Sequence, residues 1–140
     1  MRQHHTFNRA LANILLKTAE HFSPYEPFRL REFLTHNEIN NFQKLAYFGL
    51  AQKYCNTKGE HVAGKWNLTG RAMRLILGSE KVESWVETFM NKVQLTSTEM
   101  MGIADTIGSY MIPQEYAKAQ RVAFPAEDAQ NTFDFNAGGA

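Results

Sequence analysis

Apolar positions recur at helical spacing in several separate windows along this chain. Phe7, Leu11, Ile14, Leu15, Thr18 and Phe22, with Ala10 and Ala19 beside them, predict a first helix over 7–22. Thr6 is its expected N-cap. Ser23-Pro24 ends it, because a residue before proline is pushed out of the α region. Leu30, Phe33 and Leu34 then fall at i, i+3 and i+4 and predict a short second helix. Asn37 can cap a third helix over 38–48, whose buried stripe is Ile39, Phe42, Leu45, Ala46 and Phe48. Gly49 stops it, and the period changes. Residues 51–55 and 65–69 read as the two strands of a hairpin, with 56–64 (NTKGEHVAG) as its loop. That loop exceeds the two to five residues usual in a hairpin. Thr69 caps a fourth helix, Gly70 to Leu77, with Ala72, Met73, Ile76 and Leu77 inward and Arg71 and Arg74 outward. Gly78 ends it.

Beyond Gly78 the pattern weakens. A strand region is expected within 84–95, with Val82 and Val86 on one face and Trp85, Phe89, Val93 and Leu95 on the other. Met100, Ile103, Ala104, Ile107 and Met111 fit a helix, but Gly102 and Gly108 each weaken it by about 1 kcal/mol, and a returning strand fits as well. One helical turn is expected within 113–121, and disorder from Val122 to Ala140, where small and acidic residues dominate. Phe124, Phe133 and Phe135 in that acidic stretch read either as a solvated tail or as a short docking motif.

The segment KWNLTGRAMRLILG resembles the second wing strand and following helix of winged helix-turn-helix proteins, on Trp66, Leu68, Thr69 and Gly70. The preceding NEINNFQKLAYFGLAQK resembles a recognition helix running into the first wing strand. The combination is similar to small winged-helix proteins of bacteria and their phages. The resemblance implies an α+β, mainly α fold: a three-helix core plus a β-hairpin wing, a short C-terminal β/α extension and a disordered tail. It divides the chain into a winged-helix domain at 1–78, an extension packing on it at 79–112 and a mostly flexible tail at 113–140.

Composition changes this picture little. Apolar residues make up 44% and charged residues 21%, ordinary for a globular protein. No apolar run is long enough to span a membrane, and the single Cys55 cannot form an internal disulfide, so a cytoplasmic location is expected. The net charge of +1 is unevenly spread. Residues 24–78 carry eight basic and four acidic side chains, and 79–140 carry four basic and nine acidic. The basic excess falls on the segment that would face phosphate.

Candidate chemistry follows from that segment. Asn40, Asn41, Gln43 and Lys44 are amides and a cation able to reach base edges, although a solvated helix face carries the same residue types. The resemblance makes them the base-reading positions. Arg29, Arg31, Lys53, Lys58 and Lys65 are the candidate backbone contacts, with His61 in the wing loop. No Ser/His/Asp order, phosphate loop, HExxH or cysteine pair occurs, so a binding module is expected and an enzyme is not. His4 and His5 lie in an expected frayed start with no partner at ligand spacing, and neither metal nor cofactor is expected. The expectation is a sequence-specific double-stranded DNA-binding regulator, acting as a homodimer. The alternative is a protein-binding winged helix, such as a phage factor that blocks a host or defence complex.

Overall fold

Residues 1–122 are described here by a computed structural model, the side chains of 120–122 excepted. Of the tail expected to be disordered, residues 123–140, with Phe124, Phe133 and Phe135, lie outside the described residues, and Val122 ends a helix. The chain begins with a strand, β1 (Arg2–Thr6), where a frayed start was expected. Helix α1 follows at Arg9–His21, capped by Asn8 and not Thr6: the Asn8 Oδ1 accepts from the Leu11 N–H at 3.0 Å. Leu11, Ala12, Ile14, Leu15 and Ala19 are buried, and so is Thr18. The Thr18 hydroxyl is satisfied within the helix, donating to the Ile14 carbonyl at 2.8 Å.

A two-residue strand, β2 (Phe28–Arg29), leads into a single 3-10 turn at Leu30–Glu32, which replaces the expected second helix. Helix α2 (His36–Lys44) starts at a capping box. The Thr35 N–H donates to Glu38 Oε1 at 2.8 Å, and the Glu38 N–H donates to the Thr35 hydroxyl at 3.3 Å. Lys17 of α1 donates to the same carboxylate at 2.9 Å. These donors hold the Glu38 carboxyl below its usual range, the Thr35 backbone N–H contributing most and Lys17 next. The last turn tightens to 3-10 over Leu45–Phe48 and ends at Gly49, whose φ of +74° suits a residue without a Cβ.

Strands β3 (Ala51–Cys55) and β4 (His61–Leu68) form the hairpin. Its connection is five residues and not the nine expected. Asn56 closes it: the side-chain oxygen accepts from the Lys58 N–H at 2.9 Å and the Glu60 N–H at 3.0 Å. The loop is therefore of ordinary length, and the inference from a long wing loop falls away. Helix α3 (Gly70–Leu77) lies where the pattern placed it, between the Thr69 cap and Gly78.

The remaining elements are β5 (Val82–Glu83), β6 (Trp85–Phe89), β7 (Lys92–Thr96), β8 (Met100–Met101), α4 (Ala104–Ile107) and α5 (Gln114–Val122). Met90 and Asn91 both have positive φ, as a tight two-residue hairpin turn requires. Three small sheets result, in the orders β1-β6-β7, β2-β4-β3 and β5-β8. The expected mainly α fold, a three-helix core with a wing, is overturned. The structure is 39% helix and 29% strand, with five α-helices and three sheets among the described residues. The cause is pairing at long range. β1 joins β6 antiparallel from far along the chain, Arg2 opposite Phe89 and Thr6 opposite Trp85, so the first residues and the C-terminal region build one sheet.

One hydrophobic core runs through these elements. Phe42 is fully buried, with edge-on ring contacts to Phe28 at 5.8 Å and Trp66 at 5.5 Å. Phe7 meets Phe48 edge-on at 5.8 Å, and Leu45, Leu50, Met73 and Ile76 complete the centre. Burying each such side chain contributes about 1.5–3 kcal/mol. Tyr116 of α5 is also buried, and that burial, with Tyr25 a smaller cause, pushes its phenol upward in pKa.

Candidate nucleic-acid interface

The candidate residues divide into separate groups. On α2, Asn40, Gln43 and Lys44 follow i, i+3, i+4 spacing, with Tyr47 one step further in the 3-10 turn. Asn40 and Gln43 are exposed, and Lys44 is half-buried. Asn41 is half-buried and lies about a quarter turn from Asn40. This stripe lies away from Phe42, which anchors the helix on the β2-β4-β3 sheet through Trp66.

The opposite face of that sheet carries a second group. Phe28 pairs with Trp66 on the helix side, so the next pair, Arg29 opposite Lys65, lies on the outer side. Like charges directly opposite are unfavourable, and no carboxylate among the described residues offsets them. Gly64 (φ +74°) lets the Arg29 guanidinium lie on the strand, where it donates to the Ala63 carbonyl at 2.8 Å. A Cβ on Gly64 would stand 3.0 Å from that nitrogen. Arg31 is exposed in the 3-10 turn after β2, and Lys58 is exposed at the hairpin tip.

Lys53 and His61 form a third group. Cys55 stands opposite His61 across the hairpin. Lys53 and His61 line one open depression of ≈ 430 Å³ with Gln52, Tyr54, Cys55 and Asn67.

Several other cations are paired within the fold, whereas Arg9, Lys81 and Lys92 are exposed and have no ion pair among the described residues. The Arg71 Nε donates to Glu80 at 3.0 Å, and Arg71 Nη1 donates to the Phe48 carbonyl at 2.9 Å and lies 3.3 Å from Glu83. Arg74 also holds Glu80. Both were expected to face out, yet each is about a quarter to a third exposed and paired. Arg2 pairs with Glu87, Lys17 with Glu38 and Lys118 with Glu115. By contrast, Arg29, Arg31, Lys44, Lys53, Lys58 and Lys65 have no ion pair among the described residues. After α3, Glu80, Glu83 and Glu87 pair with Arg71, Arg74, Arg2 and His4, Glu115 pairs with Lys118, and no ion pair among the described residues involves these six cations.

Sequence reasoning missed the border of the α2 stripe. His5 of β1 stacks on Tyr47 with ring centroids 4.9 Å apart, and its Nε2 is 3.1 Å from the Thr88 hydroxyl. The Tyr47 hydroxyl donates to Asn91 Oδ1 at 3.1 Å. Partial burial, then Lys44, then His4 hold the His5 imidazole below its ordinary pKa. Local periodicity carried no signal for this, because RQHHT is a short polar edge strand whose partner is distant. Gln52 and Asn67 were also missed, although period-2 alternation in AQKYC and KWNL puts them on one face.

Among the described residues no three of His, Cys, Asp and Glu gather as metal ligands. No described helix is long and apolar enough to cross a membrane. No family model matches this chain, and neither a curated protein nor a solved structure matches it. The winged-helix resemblance therefore rests on the quoted residues alone.

Proposed function

We propose that this protein is a binding module for double-stranded DNA, a small regulator of bacterial or phage type rather than an enzyme. One observation carries the reading: among the described residues six cations of the 29–65 segment have no ion pair, while Glu80, Glu83 and Glu87 after α3 pair with other cations. Phosphate is the partner that such cations lack. Asn40, Gln43 and Lys44 are the base readers in this reading, because they follow one another at i, i+3 and i+4 along α2. Lys53, Lys58 and His61 supply backbone contacts from the hairpin. Arg29 and Lys65, on the far side of the sheet, reach phosphate only where DNA or a second site wraps that face. A single helix offers little area, so a homodimer on paired half-sites is part of the proposal.

The test is fluorescence anisotropy of the full chain on a pool of duplex fragments at several salt concentrations. Gln43→Ala with Lys44→Ala is expected to weaken the preferred sequence at least about 30-fold, from a loss of about 1–3 kcal/mol for each of two bidentate contacts. Each cation removed lowers the log–log salt slope by about 0.9. A flat salt slope and unchanged binding by the double variant would sink the reading.

A second reading, a protein-binding module, is favoured by a different observation. Phe89, Met90 and Leu95 of the β6–β7 hairpin are large apolar residues that stay exposed, Met90 at 78%. A pull-down in which protein is recovered stoichiometrically and duplex is not would favour it.

A further inference from the structure

We propose that the depression on the β3–β4 hairpin binds one unstacked nucleobase together with its phosphate, adenine being the preferred base. The inference stands on the hairpin alone and holds whether or not α2 reads duplex DNA. Gln52 and Asn67 are directly opposite across the two strands, so their amides are neighbours on one face. Asn67 is only 8% exposed. Its Nδ2 donates to the Leu68 carbonyl at 3.0 Å, but its Oδ1 has no partner among the described residues. An acceptor with no donor in so nearly buried a side chain is left for a ligand N–H to satisfy.

The rest of the lining fits the same ligand. Tyr54 and His61 take part in no ring contact or side-chain hydrogen bond among the described residues, so both rings are available to stack on a base. Gln52 likewise has its whole amide free. Lys53 lines the same depression, has no ion pair among the described residues and matches a phosphate. The space, ≈ 430 Å³, lies within the range that holds small organic ligands. Adenine fits the arrangement because its amino group donates to the Asn67 Oδ1 while the adjacent ring nitrogen accepts from the Gln52 amide; uracil offers a similar pair, so the preference for adenine comes from its larger two-ring face stacking on Tyr54 and His61. The opening is wide, so the base enters from solvent, either as a free mononucleotide or as part of a single strand.

The experiment titrates the full chain with adenosine monophosphate, uridine monophosphate and a short oligodeoxyadenosine strand, reading the side-chain amide signals of Gln52 and Asn67 by NMR. Saturable shifts at both amides are expected with adenosine monophosphate below about 10 mM, with uridine monophosphate several-fold weaker. Gln52→Ala and Tyr54→Ala, at positions outside the buried core, are each expected to weaken binding about tenfold. An oligodeoxyadenosine affinity well above that of the mononucleotide assigns the site to single strands, and equal or lower affinity assigns it to free nucleotide. No saturable shift with any of the three probes overturns the proposal. Equal binding of adenine and uracil, or full binding by both variants, overturns it too. Gln43→Ala with Lys44→Ala leaves these shifts unchanged, which separates this outcome from that of the duplex test.

Discussion

Replacing Arg71 by Met tests whether its charge belongs to the fold or to a partner. The Arg71 guanidinium ties three places together: the Phe48 carbonyl at the end of the 3-10 turn, Glu80 after α3, and Glu83 in β5. Met keeps the length of the stem and removes the donors. Glu80 retains Arg74, so its loss is partial. Glu83 has no other ion pair among the described residues, and the Phe48 carbonyl loses the guanidinium that it accepts from. A charged hydrogen bond contributes about 1.5–3 kcal/mol net, but these side chains are about a quarter exposed, and solvent screening reduces the figure. The expected loss is about 2 kcal/mol. With a urea dependence of about 1.5 kcal/mol per molar, the unfolding midpoint falls by roughly 1.3 M. Adding Glu83→Gln removes the uncompensated carboxylate, so the double variant is less destabilised than the two single losses added together. The same Arg71→Met protein keeps its salt slope on DNA, whereas Lys58→Ala lowers the slope and leaves stability near parental. A midpoint within about 0.3 M of the parental value refutes the clamp, since it leaves less than a third of the expected loss. A reduced salt slope for Arg71→Met refutes the division between withdrawn and free cations.

Two further predictions concern the sheet edge and the hairpin tip. His5 has a folded pKa below its ordinary 6.5, so on acidification the unfolded chain takes up a proton first. Its contribution is complete above about pH 6.5 and is lost as pH falls below that value. Urea midpoints at pH 7.5 and 5.5 should therefore differ less in His5→Gln than in the parent, and an identical difference counts against the stacked imidazole. The Glu38 carboxyl, also held low, acts only below its ordinary 4.5 and lies outside this window. Asn56→Ala removes the acceptor for the Lys58 and Glu60 N–H groups. Hydrogen exchange at those two amides should rise about tenfold while the global midpoint barely moves, since the turn is exposed and about 1 kcal/mol is at stake. A global loss of stability would mean that the turn holds more than itself.

Some local signals were legible in the sequence, although the Thr6 cap and the second helix were not borne out. Thr69 and Gly78 bracket α3 as read, because cap chemistry is decided by a few neighbouring residues. Phe42 and Phe48 are core positions as read, since helical period separates them from the amides beside them. The capping box of α2 was only half legible: Glu38 was taken as the start of the helix, whereas Thr35 is the cap. The hairpin was placed, but its loop was misjudged, because Asn56 bonds its own turn and lets the strand resume at His61.

The candidate interface was less legible still. Sequence alone determined which residue types lie in the basic segment and which of them face outward on α2, since both follow from spacing and charge. It could not determine which cations are available. Arg71 and Lys58 look alike in the chain, and only the folding of Glu80 and Glu83 against α3 separates them. Nor could it join β1 to β6, place His5 on Tyr47, or set Gln52 beside Asn67 over an unsatisfied amide oxygen. Those pairings bring together residues that are distant in the chain. Local propensity carries no information about such a partner, and only the closure of the tertiary structure supplies it.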